Sequence, residues 1–205
     1  MPKHKNRETY LEAAIVEMHP LFKANGFPLP KKIKVTCGWP SKSAGRSSKR
    51  RIGECWDQSA SAAGNVEIII SMALDDTIQV LDVLTHECVH AAVGNECGHK
   101  GPFRTLALKL GLEGKMTATT AGPKLIKELK AIKKRLGKYP HAKIDFSNRT
   151  KQSTRMIKVQ CESNVEEDCG MIFRTTRRWV DALAVRGRLS GYFRCPICGG
   201  PCKHE

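Results

Sequence analysis

The run His86-Glu87-Cys88-Val89-His90 constrains this chain more than any other five residues. On a helix, positions four apart lie one turn apart on one face, so His86 and His90 can hold one zinc ion between them. Glu87 follows the first imidazole and can reach a water on such an ion, where it would act as general base. The pattern asks the rest of the sequence for a helix, a further ligand and a core to hold both. The helix is legible: Asp75 or Asp76 offers an N-cap beyond Leu74, and Gly94-Asn95 stops the element after Val93. Ile78, Leu81, Leu84 (or Thr85), Val89 and Ala92 make an apolar stripe beside the two histidines. Cys88 points away from them, toward the core.

A hydrolytic zinc site takes three protein ligands and leaves the fourth position to water. His99 is the only histidine between His90 and His141, and Gly94, Gly98 and Gly101 allow the chain to turn back and deliver it. Cys97 and Glu96 are alternative ligands in the same segment. His141, after Pro140, is a candidate for a supporting or structural role.

The lead-in supplies a core. Leu11, Ala14, Ile15, Met18, Leu21 and Phe22 recur at helical spacing over residues 8–25, before Gly26, Pro28 and Pro30 end the element. Ile33, Val35 and Cys37 alternate with polar residues over 32–38, which predicts a strand; a second short strand is expected over 51–57 around Cys55 and Trp56. Val66–Ser71 is the strongest strand signal in the chain. An edge strand beside a zinc cleft can pair with an extended substrate, and Val66–Ser71 is the candidate for that position. Beyond His99, helices are expected over 102–110 and 123–136, with residues 112–122 reading as a loop. The fold class is therefore α+β, helices on a small sheet.

Charge is segregated along the sequence. Residues 31–51 carry eight Lys/Arg and no acid, residues 52–101 one Lys and eight acids, residues 124–143 eight Lys/Arg and one acid. An acidic centre holding the histidines, flanked by basic segments and set in a chain of net charge +15, suits a polyanionic partner, nucleic acid first. The polar, basic loop from Pro40 to Arg51 reads equally as an ordinary connection or as an arm that touches phosphates through Arg46, Lys49, Arg50 and Arg51. The Lys-rich face of 123–136 reads equally as a solvated surface. No apolar run is long enough for a membrane span, so no membrane partner is expected. Nine cysteines without a secretory leader read as thiols or metal ligands of a cytoplasmic protein, free in the cytosol or nucleoid-associated.

The chain changes character after residue 146. A polar linker over 147–154 leads into a small module, 155–205, with Cys161 and Cys169, then Cys195-Pro196-Ile197-Cys198 and two glycines. Four cysteines in two pairs make a structural four-cysteine zinc site, with Cys202 as a competing ligand. Strand-like runs at 156–160, 171–175 and 192–194 fit a zinc ribbon. Arg174, Arg177, Arg178, Trp179, Arg186 and Arg188 make it a basic surface suited to nucleic acid.

Taken together, His86-Glu87-Cys88-Val89-His90-Ala91-Ala92, then Gly98-His99-Lys100-Gly101-Pro102-Phe103, then a basic segment and a four-cysteine ribbon resemble the SprT-like metalloprotease family, whose eukaryotic relatives include Spartan. The resemblance covers most of residues 8–200. Lys100 stands between the histidine and the glycine, where the family pattern has Gly directly after His, and the ribbon's first cysteine pair departs from Cys-x-x-Cys. The resemblance implies a zincin-like domain over 1–146 with Zn²⁺ on His86, His90 and His99 and Glu87 as general base, plus a second, structural Zn²⁺ on Cys161, Cys169, Cys195 and Cys198. It further implies cleavage of proteins associated with DNA, single-stranded DNA among the candidates, as in repair of DNA–protein crosslinks. Two other readings stand beside it. One is a non-catalytic nucleic-acid-binding zinc protein, for example a transcription-related factor. The other is a different metal-dependent hydrolase, although phosphodiester cleavage generally uses carboxylate-rich two-metal sites.

Overall fold

Asn6 starts the first folded element of a computed structural model that describes residues 3–41, 51–144, 156–163, 169–185 and 193–204. Its side chain accepts from the Thr9 amide at 2.9 Å and opens helix α1, Arg7–Ala24. The chain divides into two compact units, Met1–Asn148 and Arg149–Glu205. The linker expected over 147–154 lies outside the described residues, as do Arg46, Lys49 and Arg50 of the basic loop and Arg186 and Arg188 of the second unit.

The first unit is built around one helix. Strands β1 (Ile33–Gly38), β2 (Gly53–Trp56) and β3 (Val66–Ser71) form a sheet in the order β1-β3-β2. β1 runs parallel to β3, with Val35 opposite Ile68, and β2 runs antiparallel to it, with Cys55 opposite Ile68. Helix α2, Thr77–Val93, starts at Asp76, whose carboxylate accepts from the Gln79 amide at 2.8 Å, and stops at Gly94 with φ +83°. It packs against β2, β3 and α1. Val80, Leu81, Leu84, Thr85, Cys88 and Val89 are fully buried along it, so α2 is covered nearly all round.

Helix α3 (Pro102–Leu110) follows, with Pro102 at its first turn, where a missing amide proton costs nothing. Helix α4 (Pro123–Leu136) buries Leu125, Leu129, Ile132 and Leu136 and turns its lysines outward. α1 and the end of this unit are joined where Tyr10 and Tyr139 meet edge-on at 5.3 Å.

Two sequence expectations need correction here. Residues 112–122 are not a loop: β4 (Leu112–Lys115) and β5 (Ala118–Ala121) form an antiparallel hairpin that packs against α2. The strands are too short and too polar to show alternation, and Gly114 at φ +90° suits a loop equally well. Val66–Ser71 is not an edge strand either. It has β1 on one side and β2 on the other, which is why it is the most apolar of the three; the edge beside α2 is β2.

The second unit holds a four-stranded sheet in the order β7-β6-β9-β8, from β6 (Ile157–Cys161), β7 (Ile172–Thr175), β8 (Phe193–Arg194) and β9 (Pro201–His204). Between β7 and β8 lies helix α5, Arg177–Val185. Neither α5 nor β9 is legible in the sequence. Val159, Cys161, Cys195 and Cys202 make its small core, so cysteine supplies most of that cluster.

Candidate metal centres

α2 carries His86 and His90 to the same side, as the four-residue spacing requires. The chain then turns back over a short distance. The Asn95 side-chain amide donates to the Cys55 carbonyl at 2.9 Å, tying the return to β2. The Gly98 amide donates to the Asn95 carbonyl at 3.1 Å, and Gly98 itself sits at φ +53°. This delivers His99. One ring nitrogen from each of His86, His90 and His99 lies within 4.8 Å of the others. His90 Nε2 and His99 Nε2 are 3.2 Å apart. Two imidazole lone pairs repel at that distance unless a proton or a cation lies between them. Ligand nitrogens about 2.0–2.1 Å from a tetrahedral zinc stand about 3.3 Å from one another, so the donor set fits that ion. Phe103, fully buried at the start of α3, supports all three rings, with centroids 5.0, 4.4 and 4.8 Å from those of His86, His90 and His99.

Burial also prepares the rings electrically. It pushes His86 down to about 4, helped by the charge of His99, and His90 down to about 3, helped by the other two histidines and Arg51. His99 is lowered by burial and then by Arg51. At neutral pH the three are uncharged, the state in which imidazole binds a metal. His86 Nδ1 lies 2.8 Å from Thr119 Oγ1 on β5. With its proton on Nδ1 donated to that hydroxyl, His86 keeps a lone pair on Nε2. The Thr119 partner escapes a reading of the sequence because the hairpin that carries it does.

Glu87 is buried at 6% exposure and points at β2. A Cβ placed on Gly53 would overlap Glu87 Oε1 and stand 2.6 Å from Val83 Cγ1. Burial pushes the Glu87 carboxyl up to about 8, with Arg51 pulling it down and Glu54 pushing it up. Glu54, next along β2, is equally buried; it accepts from the Ser41 amide at 2.8 Å and the Ser41 hydroxyl at 2.6 Å and pairs with Arg51. Burial opposes its charge, but these donors outweigh that and hold its carboxyl below the usual range.

The other candidates of this unit lie elsewhere. The Cys97 thiol donates to the Gly94 carbonyl at 3.6 Å and is not in the histidine group. Glu96 is exposed. His141 Nε2 donates to the Met72 carbonyl at 2.9 Å, a structural role. Cys88 is fully buried in the core.

In the second unit, Cys161, Cys169, Cys195 and Cys198 bring their sulfurs within 4.8 Å of one another. Cys161 Sγ is 3.5 Å from Cys198 Sγ, and Cys169 Sγ is 3.4 Å from Cys195 Sγ. Disulfides need about 2.05 Å; four thiolates about 2.3 Å from a tetrahedral zinc would be about 3.8 Å apart. This donor set also fits a metal ion. The turn Cys195–Gly200 is a knuckle: the Gly199 amide donates to the Cys195 carbonyl at 2.9 Å, and Gly199 adopts φ +70°. Amide donation from Cys198 holds the Cys195 thiol down to about 6 against the opposing effect of burial, favouring the ligating thiolate. Cys202 stands outside the group; it lies opposite Cys161 in the sheet, buried in the core.

Of the basic candidates, Arg51 is bonded to Glu54 beside the histidine centre. Arg174 is exposed on β7, and Arg177 and Arg178 are exposed at the start of α5, Arg178 5.7 Å over the Trp179 ring. No described helix is long and apolar enough to cross a membrane. Comparison with protein-family models, with curated proteins and with solved structures finds no match to this chain.

Proposed function

We propose that the first unit is a zincin-like metalloprotease of the SprT-like kind, acting on proteins bound to nucleic acid. One observation carries the reading: three imidazoles whose protonation burial disfavours converge within 4.8 Å of one another, and the residue that immediately follows the first of them, Glu87, is a buried carboxyl. His86, His90 and His99 would hold Zn²⁺. When bound, the ion supplies a Lewis acid that polarises a carbonyl and lowers the pKa of water.

The chain's own residues divide the remaining work. Thr119 fixes the tautomer of His86, and Phe103 fixes the planes of all three rings. Glu87 takes a proton from the attacking water and returns it to the departing amine; burial raises its carboxyl, which strengthens it as a base. β2 is the sheet edge beside Glu87, and its outward backbone, apart from the Cys55 carbonyl that Asn95 holds, would offer hydrogen bonds to an extended peptide. The four-cysteine group of the second unit would hold a structural ion and stabilise a unit whose apolar core is small.

The test is hydrolysis of an unfolded protein by zinc-loaded chain, with and without single-stranded DNA. Glu87→Gln is expected to keep its metal and lose cleavage by at least a hundredfold. Equal cleavage by Glu87→Gln removes the general-base role. A wild-type chain inactive under all these conditions leaves the non-catalytic nucleic-acid-binding reading.

A further inference from the structure

Arg51 is moored in a way that a solvated arginine does not need. Its side chain, 43% exposed, runs forward along β2 past Gly53 and donates through Nη1 to Oε1 of Glu54. Glu54 is fixed in turn: 6% exposed, it accepts from the Ser41 hydroxyl at 2.6 Å and from the Ser41 amide at 2.8 Å. The guanidinium has further N–H groups besides the one spent on Glu54.

It lies where a peptide would pass. The Ser71 amide donates to the Ile52 carbonyl at 2.9 Å, so Ile52 and Glu54 turn their main-chain groups to β3, while Gly53 and Cys55 turn theirs outward. Asn95 takes the Cys55 carbonyl. Gly53, packed against Glu87, is then the main point at which an extended chain can pair with this edge. Such a chain meets Glu87 and the one side chain that crosses Gly53, that of Arg51. The charge of Arg51 is felt at Glu87, His90 and His99. His86, bonded to Thr119 on β5, feels the charge of His99 instead. The guanidinium stands on the β2 side of the histidine group.

We propose that Arg51 is a further catalytic residue of this centre, its guanidinium donating to the carbonyl oxygen of the peptide bond under attack. Water adding to that carbonyl gathers negative charge on the oxygen, and a fixed cation stabilises this charge more than the neutral carbonyl before it. Glu54 supplies the fixity, since it orients the cation before substrate arrives. The inference rests on the metalloprotease reading and extends it to a residue that reading leaves out.

The test is calorimetric binding of two probes to the full, zinc-loaded chain. One is an end-blocked phosphinic pseudo-tripeptide of alanine, whose tetrahedral phosphinate stands in for the attacked carbonyl. The other is an end-blocked mercaptoacyl dipeptide of alanine, which offers a thiolate to zinc and no such oxygen. Arg51→Gln is expected to weaken the phosphinate about ten- to a hundredfold and the thiol less than threefold. Equal losses, or none, overturn the assignment, as does a wild-type chain that does not bind the phosphinate. The double variant Glu54→Gln, Arg51→Gln leaves no buried carboxylate unpaired and serves should the single variant fail to fold. It is expected to bind as weakly as Arg51→Gln; recovery of wild-type binding would show that Arg51 only neutralises Glu54, and overturns the proposal. In a cleavage assay Arg51→Gln should lower kcat about a hundredfold with KM changed less than threefold, and a change in KM alone overturns it too. A chain that holds the phosphinate through Arg51 and cleaves no protein contradicts the proteolytic reading while leaving the Arg51 contact established.

Discussion

Gly53 and Glu87 occupy what would be the same space if residue 53 had a side chain: a Cβ there would overlap Glu87 Oε1. The edge strand thus shapes the slot in which the carboxyl sits, and glycine is the residue that leaves the slot open. Gly53→Ala should displace Glu87 while leaving the three histidines in place. The expected result is cleavage reduced at least tenfold with zinc content unchanged, and a stability loss of about 1–3 kcal/mol from overpacking against Val83. Steady-state kinetics and metal analysis on one preparation check both halves.

Thr119 holds His86 Nδ1. Removing a hydrogen-bond partner of a metal-binding imidazole typically weakens the metal by about 10–100-fold. Thr119→Val is expected to fall in that range in a chelator competition, and Thr119→Ser to stay near wild type. A Thr119→Val chain that holds zinc as tightly as wild type would remove the positioning role.

Asp82 lies one turn before His86 on α2, with Oδ1 buried and without a hydrogen-bond partner. Burial pushes its carboxyl up to about 6, against a bond from the Ala121 amide. The folded chain therefore keeps a proton that the unfolded chain has already released between about pH 4 and 6. This contribution is full below about pH 4 and is lost as pH rises through 6. The group is partly exposed, so the effect is about 1–2 kcal/mol. Urea titrations of metal-free wild type and Asp82→Asn should diverge from pH 4 to 7, with Asp82→Asn the more stable at pH 7.

Cys198→Ser should lower zinc content from about two to about one per chain and abolish cooperative unfolding of the second unit. Cys202→Ser should leave the metal count unchanged, because Cys202 belongs to the core and not to the four-sulfur group. In the first unit, His99→Ala should lose a metal that Cys97→Ala retains. Metal analysis of the four proteins distinguishes the assignments.

The parts of the first centre that were legible are those encoded locally. His86 and His90 are related by helix geometry, Asp76 and Gly94 bound that helix, and the glycines around His99 turn the chain within a few residues. What was not legible depends on residues distant in sequence. Strand order sets β2, not the more apolar β3, beside Glu87. The fit of Gly53 against Glu87 and of Thr119 against His86 joins segments more than thirty residues apart, and nothing in either segment alone announces it. In the second unit the four cysteines were legible as a candidate ligand set by type, while the placement of Cys202 depended on the register of β9 against β6.

The two centres differ in how soon a growing chain can complete them. His86 and His99 are 13 residues apart, so the histidine set is finished over about a third of the length that Cys161 to Cys198 takes. Cys169 and Cys195 are 26 residues apart, a gap that synthesis at about 5–20 residues per second crosses in about one to five seconds. For that interval Cys161 and Cys169 are an unfinished half-site. Over that interval the two early thiols of the second unit would be open to oxidation.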